Sequence, residues 1–275
     1  MIKIAAMIGS PDLESDTLAV YSGDFKGAFE KTALHGYEGV ELMMKDPKKL
    51  DGKMIKQLLT DTNLELVGLC TGHVYGEDKL GLVGYDPDVC SRAEQRLKDF
   101  IDFAGEYFGP GTFVNIGRSR GMGFKDDSDR TLEEMKSAFR ELGEYARASG
   151  VRLILEPITS KETNFINSTQ DGIRMVDEVN HENFGLMLDT YHMNIEDDDI
   201  LESIRQAGDR CWFLHFSDSN RQYPGSGNID FEKVIDTLKE IRFSGYVSME
   251  IAPLPDPDTA ARSAISFLRQ YIPKS

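Results

Sequence analysis

Residues 151–157 read VRLILEP, and three comparable runs follow: FGLMLDTYH at 184–192, CWFLHFSD at 211–218 and YVSMEIAP at 246–253. Each run is short and continuously apolar until it ends in polar residues. Strands that are buried on both faces of a parallel sheet have this composition. The four runs therefore predict four consecutive strands of one parallel sheet.

Similar apolar runs occur throughout the chain, and stretches with helical spacing separate them. The predicted strands are residues 2–7, 37–43, 64–70, 112–116, 151–156, 184–189, 211–216 and 246–251. Eight strand–helix units would average about 34 residues each, close to what a barrel of ~250 residues requires. We therefore predict an α/β fold, a (β/α)8 TIM barrel, as a single domain that spans residues 1–275.

The alternative fold is an open doubly wound sheet. Such sheets usually carry a G-x-G-x-x-G or G-x-x-x-x-G-K-[ST] turn, and neither pattern occurs in this sequence. Helix starts are also predicted: Thr131 and Glu134 form a T-x-x-E capping box, and Ser168 and Asp230 precede helical stretches. The absence of both glycine-rich turns favours the barrel.

Composition limits the function classes. The chain has 31 Lys and Arg against 47 Asp and Glu, a net charge of −16, which disfavours nucleic acid and anionic membranes as partners. Three scattered cysteines fit a reducing compartment without a disulfide framework. The apolar run at the N-terminus is too short for a signal peptide or a membrane span. We expect a cytoplasmic protein that forms a homo-oligomer, a dimer or a tetramer.

The last four predicted strands each end in a potential metal ligand. These are Glu156, Asp189, His215 and Glu250. Active sites of such barrels lie at the C-terminal ends of the strands. One such residue alone would more often be a solvated carboxylate or an ordinary buried histidine, but four on successive strands predict a divalent metal site. A ligand set dominated by carboxylates suits Mn²⁺ or Mg²⁺, with Co²⁺ or Zn²⁺ possible.

The first half of the chain offers weaker candidates. Glu41, at the end of the second strand, either binds a ligand hydroxyl or is solvated. Gly72 allows a substrate to approach the backbone, and His73 either reaches the pocket or is an ordinary loop histidine.

Arg118 and Arg120 follow the fourth strand. Arginines at the mouth of an acidic site suggest that an anionic group binds there, and we therefore expect Arg120 to hold a carboxylate of the ligand. The alternative is that both pair with Asp126 or Asp127, or with a neighbouring subunit.

Four longer segments carry a family resemblance. They are LEPITSKETNFIN at 155–167, LDTYHMNIED at 188–197, HFSDSNRQYPGSGNIDF at 215–231 and YVSMEIAPLP at 246–255. They resemble the xylose isomerase-like barrel superfamily, in particular its D-tagatose 3-epimerase and ketohexuronate epimerase branch. The resemblance runs over essentially the whole chain but is specific only from about residue 151. In the turn after the fourth strand, Arg120-Gly121 matches the ketohexuronate epimerases, whereas Arg118 does not. This match implies a keto-sugar acid as the substrate, with its carboxylate held by Arg120.

The resemblance implies a role for each matching residue. Glu156, Asp189, His215 and Glu250 correspond to metal ligands, and Glu156 and Glu250 also to the two acid/base carboxylates. Substrate oxygens would be held by Glu162, His192 and Arg221. The implied reaction inverts the carbon beside a sugar carbonyl: one glutamate removes a proton and the other returns one to the opposite face of an enediolate.

Two other function classes remain open. The superfamily also contains the abasic-site endonuclease IV, with three zinc ions and a histidine-richer site, but this chain has five histidines and His35 and His181 lie off the predicted rim. The other class is a partner-dependent or non-catalytic role, either as a subunit of a lyase for 3-keto-glycosides or C-glycosides or as a sugar-binding barrel.

Overall fold

Eight parallel strands hydrogen-bond in chain order in the computed structural model, which describes residues 1–14 and 18–274. They are β1 (Ile2–Gly9), β2 (Gly39–Met43), β3 (Glu65–Cys70), β4 (Phe113–Ile116), β5 (Arg152–Leu155), β6 (Phe184–Asp189), β7 (Cys211–Phe216) and β8 (Gly245–Met249). The last strand pairs with the first, from Ile2 opposite Gly245 to Ala6 opposite Met249. The sheet is therefore a closed (β/α)8 barrel, as predicted.

Helices surround the barrel and connect the strands. They are α1 (Phe25–His35), α2 (Gly52–Thr62), α3 (Gly72–Gly76), α4 (Pro87–Tyr107), α5 (Ser128–Arg147), α6 (Thr169–Val179), α7 (Thr190–Glu196), α8 (Ile200–Ala207), α9 (Phe231–Glu240) and α10 (Pro257–Leu268). Short 3₁₀ turns occur at Pro47–Lys49, Arg118–Arg120 and Gly208–Arg210. The described helices include none that is both long enough and apolar enough to cross a membrane.

All eight predicted strands are confirmed, and β6 and β7 have the predicted bounds. The prediction missed a two-residue strand, Tyr21–Ser22, which pairs with the end of β1 outside the barrel. Glu156 and Glu250 each lie one residue beyond their strands. They therefore stand at the C-terminal rim, where parallel barrels place their active sites.

Helix starts were predicted with mixed success. Ser168 caps α6 in a capping box with Asp171, and Asp230 caps α9. The predicted capping box of Thr131 is wrong, because α5 already begins at Ser128, where the Asp127 side chain accepts from the Arg130 N–H at 3.0 Å. The Thr131 hydroxyl instead donates to the Asp127 carbonyl and accepts from the Phe124 N–H.

An apolar cluster fills the barrel below the rim. Its buried members are Ala5, Val67, Ile154, Met187 and Phe213. Phe213 lies two residues before His215 on β7, so the two side chains point the same way, and their rings are 5.8 Å apart. The polar groups of the rim therefore rest on an apolar floor that excludes water from one side.

A second, larger cluster packs the helices against the outside of the barrel. Phe139 of α5 is fully buried and stacks on Phe184 of β6 with ring centroids 4.8 Å apart. Burial of such aromatic pairs dominates the energetics of a core.

We expect Phe139→Ala to lower the free energy of unfolding by roughly 3–5 kcal/mol, because it removes a buried ring and leaves a cavity. Denaturant unfolding followed by circular dichroism measures this. The control is Leu34→Ala in α1, where the side chain is 81% exposed, and there the expected change is within about 0.5 kcal/mol. Equal losses in the two variants would contradict the packing described here.

Candidate active site

The four predicted metal ligands meet at the rim of the barrel. One ligand atom each from Glu156, Asp189, His215 and Glu250 lies within 4.8 Å of the others, and all four residues are buried. The Nδ1 atom of His215 is 3.4 Å from Glu156 Oε1, 3.4 Å from Glu250 Oε2 and 3.9 Å from Asp189 Oδ2. It has no hydrogen-bond partner among the residues that the structure describes. An unpartnered buried nitrogen that faces three carboxylates fits a divalent cation.

The other nitrogen of His215 contacts a carboxylate. Nε2 lies 2.9 Å from Oε2 of Glu41, which is buried on β2. Metal-binding histidines usually make such a bond, which fixes the ring orientation and leaves the inner nitrogen available to the ion. The alternative that Glu41 is a solvated rim residue is therefore wrong.

Charge interactions within the cluster oppose the effect of burial. Burial alone lowers the pKa of His215, but the carboxylates of Glu41 and Glu250 raise it well above its usual value. Burial raises the pKa of Glu250, but Arg221 and His215 together lower it to about 2. Arg221 and His215 thus favour the ionised form of Glu250, which is the form that a metal ligand requires.

Neighbouring groups orient the carboxylates. Glu156 Oε2 accepts from the side-chain amide of Asn115 at 3.0 Å. Asp189 Oδ1 accepts from the Tyr191 N–H at 2.7 Å at the start of α7. These bonds leave Glu156 Oε1 and Asp189 Oδ2 facing the His215 nitrogen.

Arg221 lies beside two of the predicted ligands. Its Nη1 donates to Asp189 Oδ2 at 2.5 Å, its Nη2 donates to Glu250 Oε2, and its guanidinium lies 4.6 Å from the centre of the Tyr191 ring. The residue has a φ of 60°, in the left-handed region, and its carbonyl accepts from the Ala252 N–H at 2.7 Å. This loop geometry directs the guanidinium toward the rim.

The charge balance also fits a cation. The carboxylates of Glu41, Glu156, Asp189 and Glu250 face one guanidinium, that of Arg221, and the imidazole of His215, which must be neutral to bind an ion at Nδ1. Four negative charges therefore face one fixed positive charge in a buried site. A divalent ion would offset two of the remaining three, and such compensation is the condition for keeping several buried carboxylates ionised together.

A cavity of about 290 Å³ opens onto the cluster. Five of the predicted substrate residues line it: Gly72, His73, Glu162, His192 and Arg221. Its remaining walls include the apolar side chains of Leu18, Met43 and Ile158. A small ligand with both polar and C–H surfaces suits such a cavity.

The predicted substrate histidines differ in their surroundings. The Nδ1 atom of His192 accepts from the Thr159 N–H at 3.3 Å, and its Nε2 lies 3.9 Å from Asp189 Oδ2. The Nδ1 atom of His73 is 3.2 Å from Glu77 Oε1, and burial lowers the pKa of the ring. His192 therefore lies near the metal ligands, whereas His73 lies on the wall formed by α3.

Arg120 does not lie in this cavity. Its side chain is fully buried, and its guanidinium donates to main-chain carbonyls, including that of Glu156 at 2.7 Å. The prediction that it holds a substrate carboxylate therefore needs correction, because its donors are directed at the protein. Arg118 is the arginine of this turn that lines the cavity, and its Nε lies 3.4 Å from Glu162 Oε2.

Sequence reasoning missed one residue at the site and underrated another. Asn115 interrupts the apolar strand β4, and that polar interruption is a signal that would have found it. Glu41 was expected to bind a hydroxyl of the ligand or to be solvated. Its contact with His215 was not predicted, because the two residues lie on strands that are far apart in sequence. His35 and His181 lie away from the site, near Asp258 and Glu144 respectively.

Comparisons with known proteins agree with this geometry. The sequence profile of the family described as xylose isomerase-like TIM barrel matches residues 29–271. An L-ribulose 3-epimerase from Methylomonas sp. (strain DH-1) is 30% identical over 84% of this chain and 81% of that protein. A D-psicose 3-epimerase from Enterocloster bolteae is 36% identical over 75% of this chain and 69% of that protein. The crystal structure of a D-allulose 3-epimerase from Methylomonas sp. in complex with D-allulose has a TM-score of 0.80 at 27% identity and covers 98% of both chains.

We expect Glu41→Gln to weaken Mn²⁺ binding roughly 10- to 100-fold, because the carboxylate that orients His215 is lost while the side-chain volume is kept. Calorimetric titration of the metal-stripped protein measures the affinity. The control is Glu65→Gln at the opposite end of the barrel, where the carboxylate pairs with Lys3. Unchanged Mn²⁺ affinity in the Glu41 variant would contradict this account of His215.

Proposed function

The chain belongs to the family of xylose isomerase-like TIM barrels, and on that premise we propose that it is a metal-dependent carbohydrate epimerase. The reaction inverts the carbon beside the carbonyl of a ketose or keto-sugar acid. The supporting observation is the pair Glu156 and Glu250, whose carboxylate oxygens each lie 3.4 Å from one buried nitrogen of His215. They come from different sides of the barrel and line one cavity.

The substrate class follows from the relatives and from the size of the cavity. Relatives of this chain are named L-ribulose 3-epimerase and D-psicose 3-epimerase. A cavity of about 290 Å³ is at the lower end of the range for ligand pockets and suits a single sugar. We therefore propose a monosaccharide with a free carbonyl as the substrate.

The two glutamates carry the proton transfers. One carboxylate removes the proton from the carbon beside the carbonyl, and the electron pair moves onto the carbonyl oxygen. The other glutamate, protonated at that point, donates its proton to the opposite face of the same carbon. Each turnover thus takes a proton from one glutamate and adds one to the other, and exchange with solvent restores the starting state.

The proposed cation is Mn²⁺, with Mg²⁺ or Co²⁺ as alternatives, held by Glu156, Asp189, His215 and Glu250. When bound, it would stabilise the negative charge that develops on the sugar oxygens. The ligand set, three carboxylates and one imidazole, supports these metals over metals that prefer sulfur. Glu41 keeps the imidazole in the tautomer that can bind.

The remaining residues of the cavity would hold the sugar. We propose that Glu162, His192 and Arg221 contact its oxygens, with Arg221 donating to the oxygen on which charge develops. Gly72 would let the sugar approach the backbone, and His73 would bound the end of the cavity away from the metal ligands. Their shared cavity supports these assignments.

The setting of the enzyme is also part of the proposal. We propose one catalytic domain over residues 1–275, a cytoplasmic location and a homo-oligomer, either a dimer or a tetramer. Two free buried cysteines, Cys70 and Cys211, suit a reducing compartment. Light scattering of the purified protein tests the oligomeric state.

Incubation in D₂O with Mn²⁺ tests the reaction type. We expect ketoses or keto-sugar acids that are substrates to gain one deuterium at the carbon beside the carbonyl, because the returning proton comes from a glutamate in exchange with solvent. Nuclear magnetic resonance and mass spectrometry locate the label. Absence of label from every ketose and ketohexuronate, with metal bound, would refute epimerisation and favour a lyase subunit or a sugar-binding barrel.

Replacement of Glu156 or Glu250 by Gln is expected to lower kcat by roughly 10²–10⁴-fold, because each carboxylate transfers a proton. Steady-state kinetics measure the effect, and circular dichroism checks that the barrel remains folded. Glu30→Gln on the exposed surface of α1 is the matched control and should behave as wild type. A Glu156 or Glu250 variant that keeps more than about a tenth of the wild-type rate would contradict these roles.

A further inference from the structure

Arg120 is a fully buried cation behind the active site. Its Nη1 donates to the carbonyl oxygen of Glu156 at 2.7 Å and to that of Gly117 at 2.9 Å. Gly117 and Glu156 lie just beyond the ends of the neighbouring strands β4 and β5. The guanidinium therefore links these two strands at a point where their regular hydrogen bonds have ended. One of the two carbonyl groups belongs to Glu156, a predicted metal ligand.

The second nitrogen of the guanidinium reaches the far end of the loop after β5. Its acceptors are Thr163 Oγ1 at 3.1 Å, Phe165 O at 3.3 Å and Ile166 O at 3.0 Å. The loop of residues 157–167 starts after Glu156 and returns to Ile166, so one guanidinium joins its two ends. Glu162, which lines the cavity, lies on this loop.

The base of the Arg120 side chain is itself held in place. The main-chain carbonyl of Arg120 accepts from the Val83 N–H, and that of Ser119 accepts from the Leu82 N–H, both at 3.1 Å. Gly121 has a φ of 84°, and a Cβ there would lie 2.6 Å from the Val83 carbonyl oxygen, so only glycine fits. The guanidinium therefore extends from a rigid segment.

An arginine here is not explained by charge pairing. Among the residues that the structure describes, no carboxylate lies within ion-pair distance of its guanidinium. Burial lowers its pKa to about 10, and the more distant carboxylates of Glu156 and Glu162 offset only part of that effect. It nevertheless remains charged at neutral pH. Only a planar group with several fixed donors reaches acceptors on both ends of the loop, whereas a lysine offers a single point charge.

We propose that Arg120 is a positioning residue of the active site, which fixes Glu156 and the loop that carries Glu162 in their working geometry. The expected effect on kcat rests on the proposed function. The expected effect on the metal site does not, because Glu156 belongs to the buried ligand cluster in any case.

The test uses two variants of Arg120. Arg120→Met removes the hydrogen-bond donors, and Arg120→Lys keeps the positive charge but replaces the planar guanidinium by a single ammonium group. Thr163→Val is a milder variant that removes one acceptor of the guanidinium and leaves the cavity lining unchanged. The control is Arg269→Met, because Arg269 also donates to main-chain carbonyls, those of Gly36 and Ile272, and lies away from the site, where it pairs in addition with Glu38. Each variant is loaded with Mn²⁺ for kinetics and with Co²⁺ for visible absorption spectra.

We expect both Arg120 variants to lose about 100-fold in kcat, since small displacements of a catalytic group cost that much. Their Co²⁺ spectra should also differ from wild type, because Glu156 is a ligand. Thr163→Val should lose about two- to tenfold in kcat, in keeping with one lost hydrogen bond. Arg269→Met should keep both the wild-type kcat and the wild-type Co²⁺ spectrum even where its melting temperature falls.

Three outcomes would overturn the proposal. The first is wild-type kcat and Co²⁺ spectrum in folded Arg120→Met, and the second is full activity in Arg120→Lys, which would show that charge alone suffices. The third is a loss confined to keto-sugar acids, which would restore a direct substrate role. If neither Arg120 variant folds, wild-type kcat in Thr163→Val refutes the proposal. If wild type epimerises no sugar, the proposed function fails, and the Co²⁺ spectra still decide the role of Arg120.

Discussion

The rest of the rim depends on holding four buried carboxylates close together around one imidazole. Glu41, Glu156, Asp189 and Glu250 are all buried, and their nearest partners are the His215 imidazole and the Arg221 guanidinium. Such a concentration of charge is costly unless each oxygen has a donor or an ion. The neighbouring structure meets this need in part: the Tyr191 N–H and the Asn115 amide each donate to one carboxylate, and the Arg221 guanidinium donates to two. The negative charge that remains makes the site selective for a cation.

The sequence alone predicted the parts of this arrangement that follow from strand periodicity. An apolar run that ends in a carboxylate puts that carboxylate at the rim, and this placed Glu156 and Asp189 correctly without any knowledge of neighbouring strands. Glu41 and Arg120 were judged less well, because their partners lie on other strands: Glu41 contacts a histidine 174 residues away. Arg120 and Arg118 are two positions apart in a 3₁₀ turn, and only tertiary packing decides which of them turns inward.

The influence of residues outside a motif also explains which helix starts were predicted correctly. Ser168 and Asp230 were recognised because nothing upstream competes with them, whereas Thr131 follows Asp127, which caps α5 one turn earlier. A local motif predicts a local structure reliably only when no stronger signal lies nearby in the sequence.

The two halves of the barrel contribute differently to the site. Strands β5 to β8 carry the candidate metal ligands, whereas β2 and β4 supply residues that orient them.

The closure of the sheet has a consequence for biosynthesis. Because β8 hydrogen-bonds to both β7 and β1, the strand that precedes Glu250 is held between the strand of the barrel that is synthesised first and the one that is synthesised just before it. A nascent chain that lacks this strand carries three of the four ligands and an open edge on β1. The complete ligand set therefore exists only after the final strand of the barrel has been inserted. A bound ion would thus stabilise only the closed barrel.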